Sequence, residues 1–595
     1  MSKVVYVYLE NGNINKTEYL DTVCVNVDSI IGNDKKLHGN YISLFNEISN
    51  HLEHDVDSII IDQNVFQSIF RLFELAVYYR LMKGKFWDLP IFIYCESSNP
   101  KKIYELIKSD QTNIVNTARF EIINKSDFNI DELSKKPSFL QSLNIKTNES
   151  LKWGSFVDTI EIKEKTTDNH TIANEWAIYR WAKIIGASDD DIQKITKKVE
   201  ENIYFKYLQA IHPIKESDTF SNEELQIKIE AKSKLKPKVL FIDDEADKGW
   251  YEIFCKILFD INEFDFDYLG DVLKDKTQEE IINESIIKVK EGTDIVILDF
   301  RIHKEDFIEN DINKITGLKL LKAIKEINPG IQVIIFSATN KVWSLQALQK
   351  AGADGFIVKE APENSVDENF TKKSIISFKE TIKTAVKRLF LKSIWYEIKS
   401  LREINSDYNY QLDIGFKLMS DSIDSEKYLN YAYLQLFLII EEFISSETIF
   451  IKNSEGLNFI KIKETELLVF ENIEKTSRNT YKFKSAITFS SGNYKRKEGV
   501  ISRPLDTNTI VSALLIFRYG LETSGEKNWT KVYKVRNTKA AHPEIGIVTT
   551  KELKQLIDFL KFILDDSNIN LKNIEYVLEE PKLNDQINKL IKKYN

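Results

Sequence analysis

Asp243, Asp244, Asp299, Ser337 and Lys359 are the side chains whose types and spacing most plainly suggest chemistry. Each stands at or just past the carboxyl end of a short apolar run. KVLFID closes on Asp243 with Asp244 next, DIVILD closes on Asp299, QVIIFSA delivers Ser337, and GFIVK ends in Lys359. Continuous Val, Ile, Leu and Phe runs of this length read as strands buried on both faces of a parallel sheet. In an open parallel sheet, ligands gather outside the carboxyl ends of the strands, where strand order reverses. Three carboxylates converging there repel one another unless a hard cation sits among them, and oxygen-only ligation with retained water suits Mg²⁺. Such an ion would neutralise incoming phosphoryl oxygens, and a lysine and a hydroxyl could hold the others.

A second constellation lies in WTKVYKVRNTKAAHPE, residues 529–544, where Arg536, Asn537 and His542 fall at the end of an apolar helix. Ala540 and Ala541 allow another helix to approach closely. A histidine with an ordinary pKa of about 6.5 can move a proton at neutral pH, and an arginine can hold a phosphate as charge builds up. In an ideal helix six residues turn about 600°, which leaves Arg536 and His542 on different faces. Pro543 biases His542 away from the helical conformation, so the helix is expected to end there and free the ring.

The elements that position these residues follow a changing rhythm. Residues 1 to 135 alternate strands with helical stretches: VVYVYL, SIIID ending at Asp62, PIFIYC, and FEIIN followed by Lys125. Residues 136 to 235 turn helical, with NEWAIYRWAKIIG and DDDIQKITKKVEENIYFKYLQAI carrying apolar residues three and four apart, and the polar stretch KIEAKSKLKPK closes this connector. The α/β rhythm returns over 236–390, with helical segments such as GLKLLKAIKEI and WSLQALQKAG and a final helical stretch SFKETIKTAVKRLFLKSIWYEI. Residues 391–595 lose it: a long helix around YLNYAYLQLFLIIEEFI, a β-like stretch from 448 to 490, then three helices, the last opening with Thr549 and Glu552 in capping-box spacing. The expected architecture is multidomain, α/β plus mainly α. It has two flavodoxin-like, doubly wound parallel-sheet units, a helical connector, and a C-terminal helical bundle with a β insertion.

Bulk properties narrow the class. A chain of 595 residues exceeds what one core organises, which allows roughly three or four domains. The net charge of −9 argues against a chain-wide nucleic-acid footprint, so any RNA or DNA contact must be local. Cys24, Cys95 and Cys255 lack metal-like spacing and no His clusters with them, which removes a disulfide framework and a Cys/His zinc site. The start MSKVVYVYLENG lacks a signal-peptide pattern and no apolar run approaches the ~20 residues that span a bilayer. The expected setting is cytoplasmic, without a membrane partner.

The order, strand placement and identity of the five residues between Lys236 and Lys359 resemble the receiver domain of bacterial response regulators. The resemblance implies that Asp299 accepts a phosphoryl group from a sensor histidine kinase. It also implies that Asp243, Asp244, Asp299 and the backbone carbonyl of Arg301 organise Mg²⁺. Ser337 would be the hydroxyl switch, Phe356 the aromatic that moves with it, and Lys359 the cation that bonds the phosphoryl group. The bland alternative is that acids at strand ends merely solvate a sheet edge. Two features depart from the family: Glu360 stands where a proline normally follows the lysine, and the acidic stretch HKEDFIENDINKI lengthens the segment between Asp299 and Gly317. That stretch is expected to shape kinase choice or slow hydrolysis. The N-terminal unit has the same outline with a weaker site, in which Asp62, Ser97 and Lys125 follow strands but only Glu10 and Asn11 stand where an acid pair belongs. It reads as a pseudoreceiver for dimerisation or sensing, with a plain α/β scaffold as the alternative.

No pair of short helices with a basic recognition helix is evident. The Arg-Asn-x-x-x-x-His pattern instead resembles that of HEPN domains, helical bundles that commonly act as metal-independent ribonucleases with paired motifs across a dimer. The resemblance implies an RNA substrate, a homodimer, and catalysis by Arg536, Asn537 and His542. Glu441 or Glu442 would supply a further acid, and a capping or exposed role is the other reading. Lys482, Lys484, Lys495, Arg496 and Lys497 interleave with Tyr481, Phe483 and Tyr494, which suits RNA binding by charge and stacking or a solvated hairpin. The combined expectation is a receiver-gated ribonuclease in stress response or antiviral defence. The competing expectations are a non-catalytic regulator whose C-terminal bundle binds a protein, nucleotide or nucleic acid, and a transcriptional regulator.

Overall fold

The computed structural model describes residues 3–8, 21–26, 58–62, 69–81, 89–95, 114, 120–124, 169–187, 190–214, 220, 225–229, 236–338, 342–362, 365, 369–423, 425–452, 456–462, 465–475, 481–502 and 505–570. It divides into two units, one of Met1–Leu320 with Val333–Lys383, the other of Leu321–Gln332 with Thr384–Asn595.

The first unit opens with five strands: β1 (Lys3–Tyr8), β2 (Asp21–Asn26), β3 (Ser58–Asp62), β4 (Ile91–Cys95) and β5 (Phe120–Asn124), with α1 (Ile69–Leu81) between β3 and β4. They form a sheet in the order β2-β1-β3-β4-β5 with every pairing parallel. Ile59, Ile60, Ile61, Ile91 and Ile93 are all buried, as a strand covered on both faces requires. Asp62 ends β3 and is buried. Glu10, Asn11, Ser97 and Lys125 lie outside the described residues.

Three helices follow, α2 (Asn169–Ile185), α3 (Asp190–Glu201) and α4 (Ile203–Ile211). They share a small core of Trp176, Tyr179, Val199, Phe205 and Leu208. Asn202 caps α4 by accepting from the Tyr204 and Phe205 backbone N–H groups, and α4 packs against α1.

The second sheet contains β6 (Lys238–Ile242), β7 (Asp265–Leu269), β8 (Ile295–Leu298), β9 (Gln332–Ser337) and β10 (Gly355–Val358), interleaved with α5 (Gln278–Lys290), α6 (Thr316–Ile327), α7 (Val342–Lys350) and, after β10, α8 (Phe370–Lys387). The order is β10-β9-β8-β6-β7, and β9 with β10, β6 with β7 and β6 with β8 pair parallel. In both sheets the strands, counted along the chain, run second-first-third-fourth-fifth, the flavodoxin-like order. In the second sheet the order reverses between β6 and β8. One face of this sheet carries an aromatic cluster in which Trp181 of α2 meets Trp250, Phe254, Phe336 and Phe378 edge-on at 5.4–6.2 Å. The connector helix α2 is therefore part of the layer that covers the sheet. Glu252–Leu258 on the same face is a π-helical turn.

The stretch read as one helix from Ser377 to Ile398 is two, α8 and α9 (Phe390–Ile404), because the Arg388 and Leu389 N–H groups close tight turns onto Ala385 and Val386. In the second unit α9, α10 (Asn409–Ser420) and α11 (Lys427–Ser445) precede an antiparallel sheet of β11 (Phe450–Lys452), β12 (Leu457–Ile462), β13 (Thr465–Lys475), β14 (Tyr481–Ser490) and β15 (Asn493–Ser502), paired in chain order. The β insertion thus runs to Ser502, beyond the expected boundary at residue 490. Ser491 and Gly492, both at positive φ (52° and 81°), turn β14 into β15 as a two-residue hairpin loop needs. α12 (Thr507–Phe517), α13 (Trp529–Val535) and α14 (Thr550–Leu564) complete a core around Tyr433, Phe437, Trp529 and Phe559.

Candidate functional site

β6 and β8 are neighbours at the point where strand order reverses, and the residues following them, Asp243 and Asp299, are brought together there. The Asp299 N–H donates to the Ile242 carbonyl at 2.9 Å and the Asp243 N–H to the Leu269 carbonyl at 3.1 Å, which extends the sheet bonding to the site. Lys359, after β10, reaches both acids: its Nζ donates to Asp243 Oδ2 at 2.6 Å and to Asp299 Oδ2 at 2.9 Å. All three side chains are at most 1% exposed. The Phe336 and Trp250 rings lie 5.2 and 5.8 Å from the ammonium and floor the site.

Electrostatics follow from that burial. Burial drives the Asp243 carboxyl above the usual carboxylate range; the Lys359 ammonium opposes the shift and the Asp299 charge adds to it. Burial alone would lower Lys359, but the two carboxylates outweigh it and hold the ammonium above its ordinary value. Two buried carboxylates with one shared counter-charge are oxygen donors suited to a hard cation. Asp244 is half-buried at the rim, and among the described residues no group of three His, Cys, Asp or Glu side chains is drawn together as a metal site.

The loop after Asp299 is built by two devices. Asp306 is fully buried and accepts from the Ile302, His303 and Thr316 backbone N–H groups, the Thr316 hydroxyl and the Gln278 amide. One acid of the long stretch therefore staples the loop. Gly317 brings the start of α6 against the site, because a Cβ there would stand 2.4 Å from the Phe300 carbonyl oxygen and 2.7 Å from that of Asp299. Asp299 Oδ1 accepts from the Phe300 N–H at 2.5 Å and from the Arg301 N–H at 3.4 Å.

The model of the response regulator receiver domain family matches residues 280–370, which include Asp299, Ser337 and Lys359. Residues 280–370 are a receiver domain. Among solved structures, the chain is similar to a two-component response regulator from Clostridium difficile at 17% identity, over 21% of this chain and 84% of that one, with a TM-score of 0.16. It is also similar to a CheY-like response regulator receiver domain protein from Methanospirillum hungatei JF-1, at 17% identity over 24% of this chain and 99% of that one, with a TM-score of 0.16. No curated protein matches the chain. Among the described residues no helix is long and apolar enough to cross a membrane.

Within the receiver, Ser337 ends β9 in register with Val358, and its carbonyl accepts from the Lys359 N–H at 2.9 Å, so hydroxyl and lysine emerge at one edge. Phe356 is half-buried on β10. The Arg301 guanidinium lies 5.9 Å over the Phe307 ring.

Sequence reasoning missed the neighbours of the site. Glu245 gives its backbone N–H to Asp243 Oδ1 at 2.9 Å, while its carboxylate accepts from Thr171 at 3.0 Å and from Asn174, both on α2. Glu360 is fully buried and pairs with Arg180 of α2 at 3.2 Å. The available signal was the set of polar residues Asn174, Glu175 and Arg180 among the Ile, Ala, Trp and Tyr residues of that helix.

In the second unit, α13 runs directly into a π-helical turn over Arg536–Ala540, closed by the Ala541 N–H on the Arg536 carbonyl at 3.0 Å. Such turns concentrate at functional sites. Arg536 is half-buried, bonded to Asn537 Oδ1 at 3.1 Å and Glu441 at 3.4 Å, and stacked 5.6 Å over Phe437. His542 lies past the helix end, exposed, with Nδ1 3.2 Å from Glu544. Asn430 on α11 clamps the segment by donating to the Lys539 and Gly546 carbonyls, both at 2.8 Å, and accepting from the Val548 N–H. Glu442 bonds Gln411 instead. The expectation of base stacking on Phe483 and Tyr494 is corrected: both rings are buried, since alternation along β14 and β15 turns them inward while Lys482 and Lys495 face out. Glu471 and Glu474 of β13 stand opposite Lys484 and Lys482.

Proposed function

We propose that the chain is a two-component response regulator in which phosphorylation of Asp299 gates a C-terminal, HEPN-like ribonuclease. The observation that carries the receiver half is Lys359 shared between Asp243 and Asp299. An Asp299 carboxylate oxygen attacks the phosphorus of a kinase phosphohistidine; the O–P bond forms as the N–P bond breaks, and the imidazole leaves with the electron pair and takes a proton. Lys359 transfers one hydrogen bond from Asp299 to a phosphoryl oxygen, and the Ser337 hydroxyl takes another. Asp243, Asp244, Asp299 and the Arg301 carbonyl are the groups that would hold Mg²⁺, which neutralises phosphoryl charge when bound.

The layout proposed is a pseudoreceiver (1–135), a connector (136–235), the receiver (236–390) and the effector (391–595), acting in the cytoplasm as a homodimer in stress or antiviral defence. In the effector, Arg536 binds the scissile phosphate and His542 moves the proton, aided by Asn537. The ribose 2′-oxygen attacks phosphorus, the bond to the 5′-oxygen breaks, and that oxygen leaves protonated. The half-buried Arg536–Glu441 pair and the exposed His542 six residues further on support this reading. The same pair, with Arg536 also engaged by Asn537 and Phe437, favours a second one: a non-catalytic regulator whose C-terminal bundle binds a protein, nucleotide or nucleic acid.

Incubating the purified protein with total RNA, with and without acetyl phosphate and Mg²⁺, separates the two. Cleavage that depends on phosphorylation and disappears in His542→Ala supports the ribonuclease. Cleavage that survives that substitution refutes the catalytic assignment, and no cleavage in any state favours the binding module. Equal labelling of wild type and Asp299→Ala by acetyl phosphate refutes the phosphoacceptor.

A further inference from the structure

We propose that Arg180 is a positioning residue for Lys359, and that through it helix α2 of the connector sets the competence of Asp299 for phosphoryl transfer. The proposal rests on the phosphoacceptor reading above. Lys359 and Glu360 are consecutive, so whatever fixes Glu360 fixes the backbone from which the lysine projects. Glu360 is held on every side: Arg180 Nε donates to Oε1 at 3.2 Å, the Ser365 hydroxyl donates to the same oxygen at 2.7 Å, and the Thr371 hydroxyl donates to Oε2. Trp176 of α2 adds a bond from its indole N–H to Ser365 Oγ at 2.8 Å. Arg180 Nη1 donates to the His212 carbonyl at 2.7 Å, and His212 caps α4, which packs on α1 beside the first sheet.

The same helix also reaches the opposite side of the site. Asn174 and Thr171 hold the Glu245 carboxylate, and Asn174 Oδ1 accepts from the Trp250 indole at 3.2 Å. Glu245 in turn bonds Asp243 through its backbone. One helix therefore grips the residue after the acid pair and the residue after the lysine. Stability does not explain this arrangement, because a buried ion pair roughly breaks even against apolar residues of like volume. What it supplies is a fixed geometry for two groups that must close on a transferring phosphoryl group, where small misplacements are expensive. A shift of α2, driven by the first sheet through α1 and α4, would move Glu360 and with it Lys359.

The test compares wild type with Arg180→Met/Glu360→Leu and with the conservative Arg180→Lys, following labelling by radioactive acetyl phosphate with Mg²⁺ across donor concentrations, alongside urea unfolding. The expected result for the double variant is a maximal rate lower by about ten-fold or more, an unchanged half-saturating donor concentration and a single cooperative unfolding transition, with Arg180→Lys recovering to within about three-fold of wild type. A double variant labelled within about two-fold of wild type, or a loss appearing only in half-saturation, overturns the proposal. If the double variant does not unfold cooperatively, Glu360→Gln, which keeps the volume and an acceptor, takes its place under the same criteria. Failure of wild type itself to take label overturns the phosphoacceptor reading, and this inference with it; equal labelling overturns this inference alone.

Discussion

Lys359 Nζ lies 2.6 Å from Asp243 Oδ2 and 2.9 Å from Asp299 Oδ2, one ammonium neutralising two buried carboxylates. Lys359→Met keeps most of the side-chain volume and removes the ammonium that the two acids share. Losing one partner of such a buried pair costs about 3–5 kcal/mol. Urea unfolding followed by circular dichroism should show a loss of that order, partly recovered by millimolar Mg²⁺. Unchanged stability without Mg²⁺ would mean that the carboxylates are neutral in the folded protein.

Gly317 is the second lever on the site. Its substitution by Ala drives a Cβ into the Phe300 and Asp299 carbonyl oxygens, at 2.4 and 2.7 Å, and neither backbone atom can rotate away. Overpacking of this kind costs about 1–3 kcal/mol, and relaxing it must shift the Asp299 loop. Slower acetyl phosphate labelling together with a lowered unfolding midpoint is expected, and wild-type labelling kinetics in Gly317→Ala would show that the loop absorbs the methyl group.

In the second unit Asn430 makes three bonds to the segment bearing Arg536 and His542 without belonging to the motif. Asn430→Ala strands the Gly546 carbonyl and the Val548 N–H, at a cost of about 1–3 kcal/mol for each buried group left unsatisfied, while the Lys539 carbonyl keeps the His542 N–H at 3.0 Å. RNA cleavage, where wild type shows it, should fall although every motif residue is retained. Full activity in Asn430→Ala would show that the motif holds its own geometry.

Acid should loosen α14. Burial would raise Glu552, but the Lys539 hydrogen bond and the bonds from Thr549 outweigh it and hold the carboxyl below its ordinary value of 4.5. A lowered folded pKa means that the stabilisation is present above 4.5 and disappears as pH falls through the folded value. The unfolding midpoint should therefore drop below that pH, and Glu552→Gln, which keeps an amide able to close the capping box, should flatten the drop at a cost of under about 1 kcal/mol near neutrality. An identical acid profile in the variant would assign the transition to other carboxylates.

The site was legible where chemistry ends a strand. KVLFID, DIVILD and QVIIFSA gave buried strands and GFIVK a half-buried edge strand, in the flavodoxin-like order, because parallel strands announce themselves as unbroken apolar runs. β7, reading DFDYL with alternating exposure at a sheet edge, gave no such run and went unnoticed, as did β2. The role of α2 was hidden for a different reason. Arg180 meets Glu360 across 180 residues and Asn174 meets Glu245 across 71, and local periodicity carries no information at those separations. The acidic stretch after Asp299 suggests a part in kinase choice or slowed hydrolysis, and its composition does not reveal that Asp306 within it is a buried acceptor of backbone N–H groups. For Phe483 the signal was present and misread: a period of two places it opposite the lysines on either side.

Trp250 donates its indole N–H to Asn174 while its ring lies 5.8 Å from the Lys359 ammonium. A full charge at that range perturbs the electronic transition of an indole. The protein therefore carries a spectroscopic gauge at the contact between α2 and Lys359. Movement of the lysine away from that ring, or of α2 away from the site, would register as a change in tryptophan emission in the unlabelled native chain.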